Sequence, residues 1–152
     1  MKAFVFACII AAFCVAVSLQ STPYNSCDDG PSPVELRVEG CDNSSPCNIY
    51  KGTNLTAQWD FIANADVNSL EPRVMVTLMG TTIKYPFPEK NGCNSLINNK
   101  CPLEKDSKVT YNLQMPISKS YPSLALNIEF ALVDQNKNLQ VCFNIDCKVT
   151  NK

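Results

Sequence analysis

The side chains with the greatest capacity for chemistry in this sequence are nine cysteines, and the chain contains no histidine. Without histidine, neither the Ser-His-Asp nor the Cys-His arrangement of hydrolases can form, and the imidazole ligands of most metal sites are missing. The sequence also has no motif that organises pairs of carboxylates. We therefore expect a protein that is not an enzyme and that has no metal site and no cofactor.

Two pairs of cysteines bracket short polar loops, as local disulfide bonds do. Cys8 and Cys14 lie in an apolar N-terminal run, which leaves seven cysteines for the folded domain. Secreted chains use cysteine for disulfides more often than for metal binding. We predict the bridges Cys41–Cys47 and Cys93–Cys101.

Cys27 is then left to pair with Cys142 or Cys147. Residues 139–149 alternate in polarity, which places Cys147 on the apolar face of a strand and Cys142 on the polar face. The two cannot bridge each other, because five strand residues at about 3.3 Å span about 16 Å. An N-terminal segment that crosses the outside of the sheet would meet Cys142. We predict a Cys27–Cys142 bridge, with Cys147 as a buried free thiol.

The N-terminus has the pattern of a secretory signal peptide. Lys2 precedes an uncharged run over residues 3–17, and Ala16-Val17-Ser18 has the small residues of a signal-peptidase cleavage site. We assign residues 1–18 to the signal and 19–152 to one domain, which we expect to be a secreted monomer, with the lysosomal lumen as a second possible compartment. Without Lys2 the domain has 12 basic and 14 acidic residues and no basic block, which argues against nucleic acid as a partner.

Alternation of apolar and polar residues predicts strands throughout the domain. The runs are Val34 to Val38, Leu55 to Phe61, Val109 to Met115, Leu124 to Leu132 and Leu139 to Val149. Arg73 to Met79 is apolar on both faces, which is typical of a central strand, and residues 134–138 form a predicted hairpin turn. Six to eight such strands predict an all-β antiparallel sandwich.

Two glycosylation sequons begin at Asn43 and Asn54. Asn43 lies in the small cysteine-bracketed loop, and Asn54 lies on the face opposite Leu55. We expect both asparagines to be exposed, and secretion would make both accessible for modification.

The order of several short motifs carries further information. Along the chain these are Cys41 with Cys47, Lys51-Gly52, Met79-Gly80, Tyr85-Pro86-Phe87-Pro88, Cys101-Pro102-Leu103, Met115-Pro116-Ile117, Ser120-Tyr121-Pro122 and Cys142-Phe143-Asn144-Ile145. From Cys27 to about Val149 the sequence resembles the ML (lipid-recognition) domain family, above all its Niemann-Pick type C2 branch. The resemblance implies an immunoglobulin-like β-sandwich with an apolar ligand pocket between the sheets, and the same three disulfides.

The resemblance also assigns roles to individual residues. It implies a pocket mouth formed by Tyr85, Ile117 and Tyr121. The predicted pocket wall consists of Leu55, Trp59, Phe61, Phe130, Phe143 and Ile145. The alternative for the wall is a filled core, because packed sheets about 10 Å apart normally enclose side chains alone.

The function that the resemblance implies is that of a soluble carrier of a hydrophobic small molecule, with transient contact to a membrane or receptor. Asp146 replaces a proline that is usual in the last strand, and Phe130 and Phe143 replace tryptophans of vertebrate members. These changes reshape the wall, so that sterols, fatty acids and related semiochemicals all remain candidate ligands. The alternative is a lipid-presenting co-receptor or pattern-recognition subunit that binds microbial lipid.

Overall fold

A computed structural model of the chain describes residues 21–152, which form two β-sheets; the predicted signal peptide lies outside these residues. The nine strands of this part are β1 (Asn25–Ser26), β2 (Glu35–Val38), β3 (Cys47–Tyr50), β4 (Asn54–Ile62), β5 (Leu70–Leu78), β6 (Thr81–Lys84), β7 (Lys108–Pro116), β8 (Leu124–Asp134) and β9 (Leu139–Thr150). A single 3-10 turn, Gly92–Ser95, accompanies them. Within residues 21–152, no helix is long and apolar enough to cross a membrane.

The larger sheet has the strand order β1-β9-β8-β5-β6, with β3 also paired to β9, and the smaller sheet has the order β2-β4-β7. This architecture confirms the predicted all-β sandwich. It corrects two details, because the described part has nine strands and because β3 runs parallel to β9. The sequence did not predict β1, β3 and β6, which have only two to four residues each.

The alternation of the long strands corresponds to burial in the structure. In β7 the apolar residues from Val109 to Met115 are buried, while those between them are half-buried or exposed. The inward residues of β8 and β9 meet those of β4 and β7 in one core. Gln140 departs from the pattern, since it is fully buried and its amide donates to Asp134 Oδ2 at 2.9 Å. A polar side chain is tolerated there because its hydrogen bonds are made within the protein.

Two other expectations need correction. Val34 is 55% exposed and precedes β2 instead of sharing its buried face. The run from Arg73 to Met79 lies in β5, which does pair on both sides, yet within this run Val74 is the one fully buried residue. One face of β5 is open, so hydrophobicity on both faces does not mean burial on both faces.

All three predicted disulfides are present. The Cα–Cα distances are 5.6 Å for Cys27–Cys142, 5.2 Å for Cys41–Cys47 and 5.8 Å for Cys93–Cys101. Cys147 is free and buried, and burial raises the pKa of its thiol to about 12. The thiol is therefore protonated and unreactive at neutral pH.

The N-terminal segment crosses the outside of the larger sheet, which was the premise for predicting that Cys27 pairs with Cys142 and not with Cys147. Asn25 pairs with Asn144 on β9, and the Cys142 amide donates to the Pro31 carbonyl at 2.8 Å. The predicted faces of the last strand are therefore confirmed. Because Cys142 precedes Phe143 directly, the bridge fixes the part of β9 that contributes an aromatic ring to the interior.

Candidate functional site

The centre of the sandwich contains four aromatic rings, Trp59, Tyr111, Phe130 and Phe143, which we call the aromatic floor. Strand pairing sets their positions. Trp59 on β4 lies opposite Tyr111 on β7, and Phe130 on β8 lies opposite Phe143 on β9. Directly opposite residues in an antiparallel pair project to the same face. Each sheet therefore directs one aromatic pair into the space between the sheets.

The rings of the floor contact one another across that space. Trp59 stacks on Tyr111 with a centroid distance of 4.6 Å, and it meets the edge of Phe143 at 5.0 Å. Phe130 lies 5.9 Å from Trp59 and 5.6 Å from Phe143. These distances are those of favourable aromatic pairs. The floor is thus closed, and a ligand of acyl-chain size enters it only by moving the rings apart.

The other predicted wall residues belong to the same core. Leu55 is 4% exposed, Phe61 is fully buried and Ile145 is 2% exposed. Their inward orientation agrees with the alternation read from the sequence. Their contact with a ligand remains a prediction.

The three predicted mouth residues, Tyr85, Ile117 and Tyr121, are here called the rim. The Tyr85 and Tyr121 hydroxyls form a hydrogen bond of 3.1 Å, although 36 residues separate them in the chain. Both tyrosines are half-buried and pack against the core. Ile117 lies deeper, at 5% exposure, and its amide donates to the Thr53 carbonyl at 2.8 Å. The structure thus brings the two tyrosines together at the surface and buries the isoleucine.

Floor and rim each contain a phenol with a raised pKa. Burial and, to a lesser extent, the hydrogen bond to Tyr121 raise the pKa of Tyr85 to about 12. Burial likewise raises the pKa of Tyr111 to about 12. Both phenols are therefore neutral at physiological pH and can act as hydrogen-bond donors.

On the outer face of the smaller sheet, opposite the floor, polar side chains link the three strands. Asp60, next to Trp59 on β4, accepts hydrogen bonds from Arg37 Nη2 at 3.0 Å and from the Thr110 hydroxyl at 2.7 Å. The hydrogen bond from Arg37 lowers the pKa of Asp60 below its ordinary value. This ionised carboxylate links β2, β4 and β7 across their outer face.

Tyr111 is the main site residue that sequence reasoning did not assign to the pocket. Its place in an alternating run was visible, but its contact with Trp59 depends on which residues of β4 and β7 lie opposite each other. Strand register is a property of pairing and not of either strand alone. In the observed register Leu55 pairs with Met115, and four residues further along β4 Trp59 pairs with Tyr111. Knowledge of this register would have identified Tyr111.

A cavity at the surface of the described residues lies outside the sandwich interior. It has a volume of about 890 Å³ and borders the Gly92–Ser95 turn and the start of β5. Its lining includes the polar residues Asn68, Glu71, Lys90, Asn94, Asn99 and Lys100. None of the predicted ligand-binding residues lines it. This cavity therefore has a largely polar lining and lies apart from the predicted ligand site.

Both sequon asparagines are exposed, as predicted. Asn43 lies in the Cys41–Cys47 loop with a positive φ of 54°, and Asn54 is the first residue of β4. Glycosylation at either position remains a prediction.

Comparison with known proteins agrees with the fold and with the motif order. The ML domain family matches residues 21–149. The mouse NPC intracellular cholesterol transporter 2 is 32% identical over 117 residues, which cover 77% of this chain and 76% of the mouse protein. A Niemann-Pick type C2 protein from the Japanese carpenter ant superposes with a TM-score of 0.77 at 20% identity, over 84% of this chain and 99% of that one.

A more distant structural relative is chicken MD-1, crystallised in complex with lipid IVa. It superposes with a TM-score of 0.53 at 15% identity and covers 80% of this chain and 83% of its own. At this identity the likeness concerns the fold alone. Together, the domain match over residues 21–149 and the mouse relative establish that this chain belongs to the ML domain family and is similar to its Niemann-Pick type C2 members, which are binding proteins and not enzymes.

Proposed function

We propose that the protein is a secreted carrier that binds a hydrophobic ligand between its two sheets and delivers it to a membrane or receptor. The main support is the combination of an aromatic floor contributed by both sheets with a rim of two hydrogen-bonded tyrosines. The name of the mouse relative, a cholesterol transporter, supports the same kind of cargo.

The energetics suit a carrier. Burial of an acyl chain with about 16 methylenes contributes about 13 kcal/mol, at about 0.8 kcal/mol each. Loss of ligand freedom and separation of the floor rings both reduce this gain. The remainder is sufficient for reversible binding without charged contacts. A membrane offers the cargo an equally apolar site, so release there needs no chemical step.

The β5–β6 hairpin supports contact with a membrane. Leu78 pairs with Thr81, and both turn residues, Met79 and Gly80, have positive φ, which is the geometry of a tight hairpin. Met79 is 98% exposed. Met79 gives the hairpin an apolar tip, and β6 leads from this tip to Tyr85 of the rim, which lies four strand residues, or about 13 Å, away. We propose that this tip touches the bilayer during transfer.

The alternative function is that of a lipid-presenting co-receptor, suggested by the resemblance of the fold to MD-1. A lipid with phosphate groups calls for cations around the mouth. Lys84, Lys90 and Lys119 flank the rim in sequence, and all three are exposed. Three separate lysines are a weak match for several phosphates, so the carrier is favoured.

Direct titration tests the proposal. The purified protein is titrated with dehydroergosterol and, separately, with cis-parinaric acid, and transfer of the bound probe to phosphatidylcholine vesicles is then followed. We expect saturable binding of at least one probe and transfer that accelerates with vesicle concentration. A folded protein that binds neither probe would refute the carrier function. Binding without transfer would favour presentation over transport.

A further inference from the structure

The cavity beside the Gly92–Ser95 turn, here called the groove, lies between two segments of the chain that meet in close packing. One wall is formed by residues 68–71, where β5 begins, and the other by residues 90–101. The walls meet at Gly92, because a Cβ atom at this position would lie 3.1 Å from Leu70 Cβ and 3.2 Å from the Leu70 carbonyl oxygen. The width of the groove is therefore set by direct contact of its walls.

Both walls are held in place by contacts within the protein. The Asn68 amide donates to Gln135 Oε1 at 3.0 Å, which fixes the first wall. The Cys93–Cys101 bridge closes the second wall into a loop, and the Ile97 amide ties that loop to β7 by a hydrogen bond of 3.0 Å. A ligand thus meets a largely preformed surface, so that little of its binding free energy is lost in ordering the protein.

The charged side chains of the groove leave positive charge available to a ligand. Lys90 and Lys100 are exposed, and neither forms an ion pair with another residue of the described part. The acidic side chain in the lining, Glu71, is paired with Lys137 at 3.3 Å. The free charges of the lining are therefore the two lysines, which favour a ligand with anionic groups.

The uncharged part of the lining narrows the chemistry of the ligand. The side-chain amides of Asn68, Asn94 and Asn99 supply both hydrogen-bond donors and acceptors. Beside them Ile97 is 55% exposed and Leu96 is half-buried. A surface that combines cations, amides and apolar groups complements a ligand with anionic groups, many hydroxyls and apolar C–H faces. That combination is the chemistry of an acidic sugar.

We propose that the groove binds an acidic oligosaccharide, a sugar chain with carboxylate or sulfate groups. Lys90 and Lys100 pair with its anionic groups, the asparagine amides hydrogen-bond its hydroxyls, and Ile97 contacts the apolar face of a ring. The volume of about 890 Å³ lies in the range of small-molecule sites and accommodates a short oligosaccharide. The inference does not rest on the carrier function, because none of the predicted lipid-binding residues lines the groove.

Titration calorimetry with defined tetrasaccharides tests the proposal. Chondroitin 4-sulfate tetrasaccharide carries carboxylates and sulfates, hyaluronan tetrasaccharide carries carboxylates alone, and chitotetraose has the same number of rings without charge. We expect at least one acidic tetrasaccharide to bind about tenfold more tightly than chitotetraose, the effect of two exposed ion pairs. This preference should weaken as salt is added.

Three outcomes of the titration would overturn the proposal. The first is that neither acidic tetrasaccharide binds, and the second is that chitotetraose binds as tightly as they do. Hexa-aspartate provides the third, because it has anionic groups without sugar rings or hydroxyls. Tighter binding of this peptide than of either acidic sugar would show that the groove recognises charge alone.

Charge removal locates the binding site. Lys90→Gln and Lys100→Gln should each weaken binding of the acidic sugar about threefold. Lys148→Gln is the matched control, since Lys148 is exposed and lies opposite Ala125 of β8. The groove adjoins β5 where that strand pairs with Asp134, nine residues, or about 30 Å, further along β8. An equal loss of affinity in the control would show an effect of net charge and would refute the groove as the site.

Asn68→Ala tests the contacts to sugar hydroxyls. No hydrogen bond joins the Asn68 side chain to another described residue, so the melting temperature should stay the same. Affinity for the acidic sugar should fall about three- to tenfold, the effect of one lost hydrogen bond. Affinity for cis-parinaric acid should be unchanged in this variant. Unchanged sugar affinity in Asn68→Ala and in both groove lysine variants would refute the site, as would displacement of cis-parinaric acid by the sugar.

Discussion

The aromatic floor and the rim use the same kinds of side chain in opposite ways. At the floor, rings from two sheets pack together with centroid distances as short as 4.6 Å, and Trp59 and Tyr111 leave polar atoms without partners. At the rim, two half-buried tyrosines satisfy each other through one hydrogen bond. The floor is closed and contains two polar atoms without hydrogen-bond partners among residues 21–152, whereas the rim tyrosines are half-buried and their hydroxyls are hydrogen-bonded to each other. Ligand binding should therefore change the floor more than the rim.

This difference separates stability from access. Residues of the floor hold the two sheets together, so their loss should affect both folding and binding. The two rim tyrosines cover an edge of the core, so their loss should affect mainly binding. The following predictions test that separation, beginning with the largest expected effect.

Phe143→Ala should produce the largest effect. Removal of a buried phenylalanine leaves a cavity and costs about 3–5 kcal/mol of the free energy of unfolding. Ligand affinity should fall as well, since Phe143 contacts both Trp59 and Phe130. Urea denaturation measures the first effect and displacement of cis-parinaric acid the second. A variant with full stability would show that the floor does not hold the sheets together.

Loss of the Cys27–Cys142 bridge should come next. Its cysteines are 115 residues apart, so the bridge restrains a long loop of the unfolded chain, and its removal typically costs about 2–4 kcal/mol. The double variant Cys27→Ser/Cys142→Ser should unfold at lower urea concentration. At temperatures where it is folded, it should bind the probe with nearly unchanged affinity, because the bridge lies on the outer face of β9. A large loss of affinity would place the N-terminal segment in the site.

Tyr121→Ala should weaken binding by about 2 kcal/mol, as expected for an anchoring aromatic residue, with little loss of stability. The matched variant Tyr121→Phe retains the ring and loses only the bond to Tyr85, so it should recover most of the affinity. Displacement titration and thermal melting distinguish these outcomes. If Tyr121→Ala melts as low as Phe143→Ala while its affinity is unchanged, Tyr121 belongs to the core and the assignment of the rim fails.

Alkaline pH provides the last prediction, and it should act on both regions. The pKa values of Tyr85 and Tyr111 are about 12 in the folded protein, against about 10 in an unfolded chain. Stability that depends on neutral phenols is fully present below about pH 10 and is lost as the pH rises through about 12. Ultraviolet difference spectra should show phenols that ionise only near pH 12. Each of the variants Tyr85→Phe and Tyr111→Phe should have one such phenol fewer than the unmutated protein. An unaltered titration in both variants would contradict these environments.

Local patterns in the sequence predicted much of this fold. Alternation predicted the long strands, and the short polar loops between cysteines predicted the Cys41–Cys47 and Cys93–Cys101 bridges, because both depend on neighbours along the chain. The Cys27–Cys142 bridge followed from the alternation of the last strand, which placed Cys142 on the outer face. The parallel β3–β9 pair and the buried Gln140 were not predictable in this way, since each depends on distant partners. The same limit applies to the site. Trp59 and Phe143 could be placed on inward faces, but the stacking of Tyr111 on Trp59 required the register between two strands.

The central claim is that the cargo lies between the sheets against the floor, and quenching of the single tryptophan tests it most directly. Trp59 is titrated with 9,10-dibromostearic acid, with stearic acid as the unbrominated control, while native mass spectrometry counts bound lipid. We predict saturable quenching by the brominated acid that follows its occupancy, and no comparable quenching by stearic acid. Stoichiometric binding of the brominated acid with Trp59 fluorescence no different from that of the control would show that the ligand lies elsewhere, and would contradict this account.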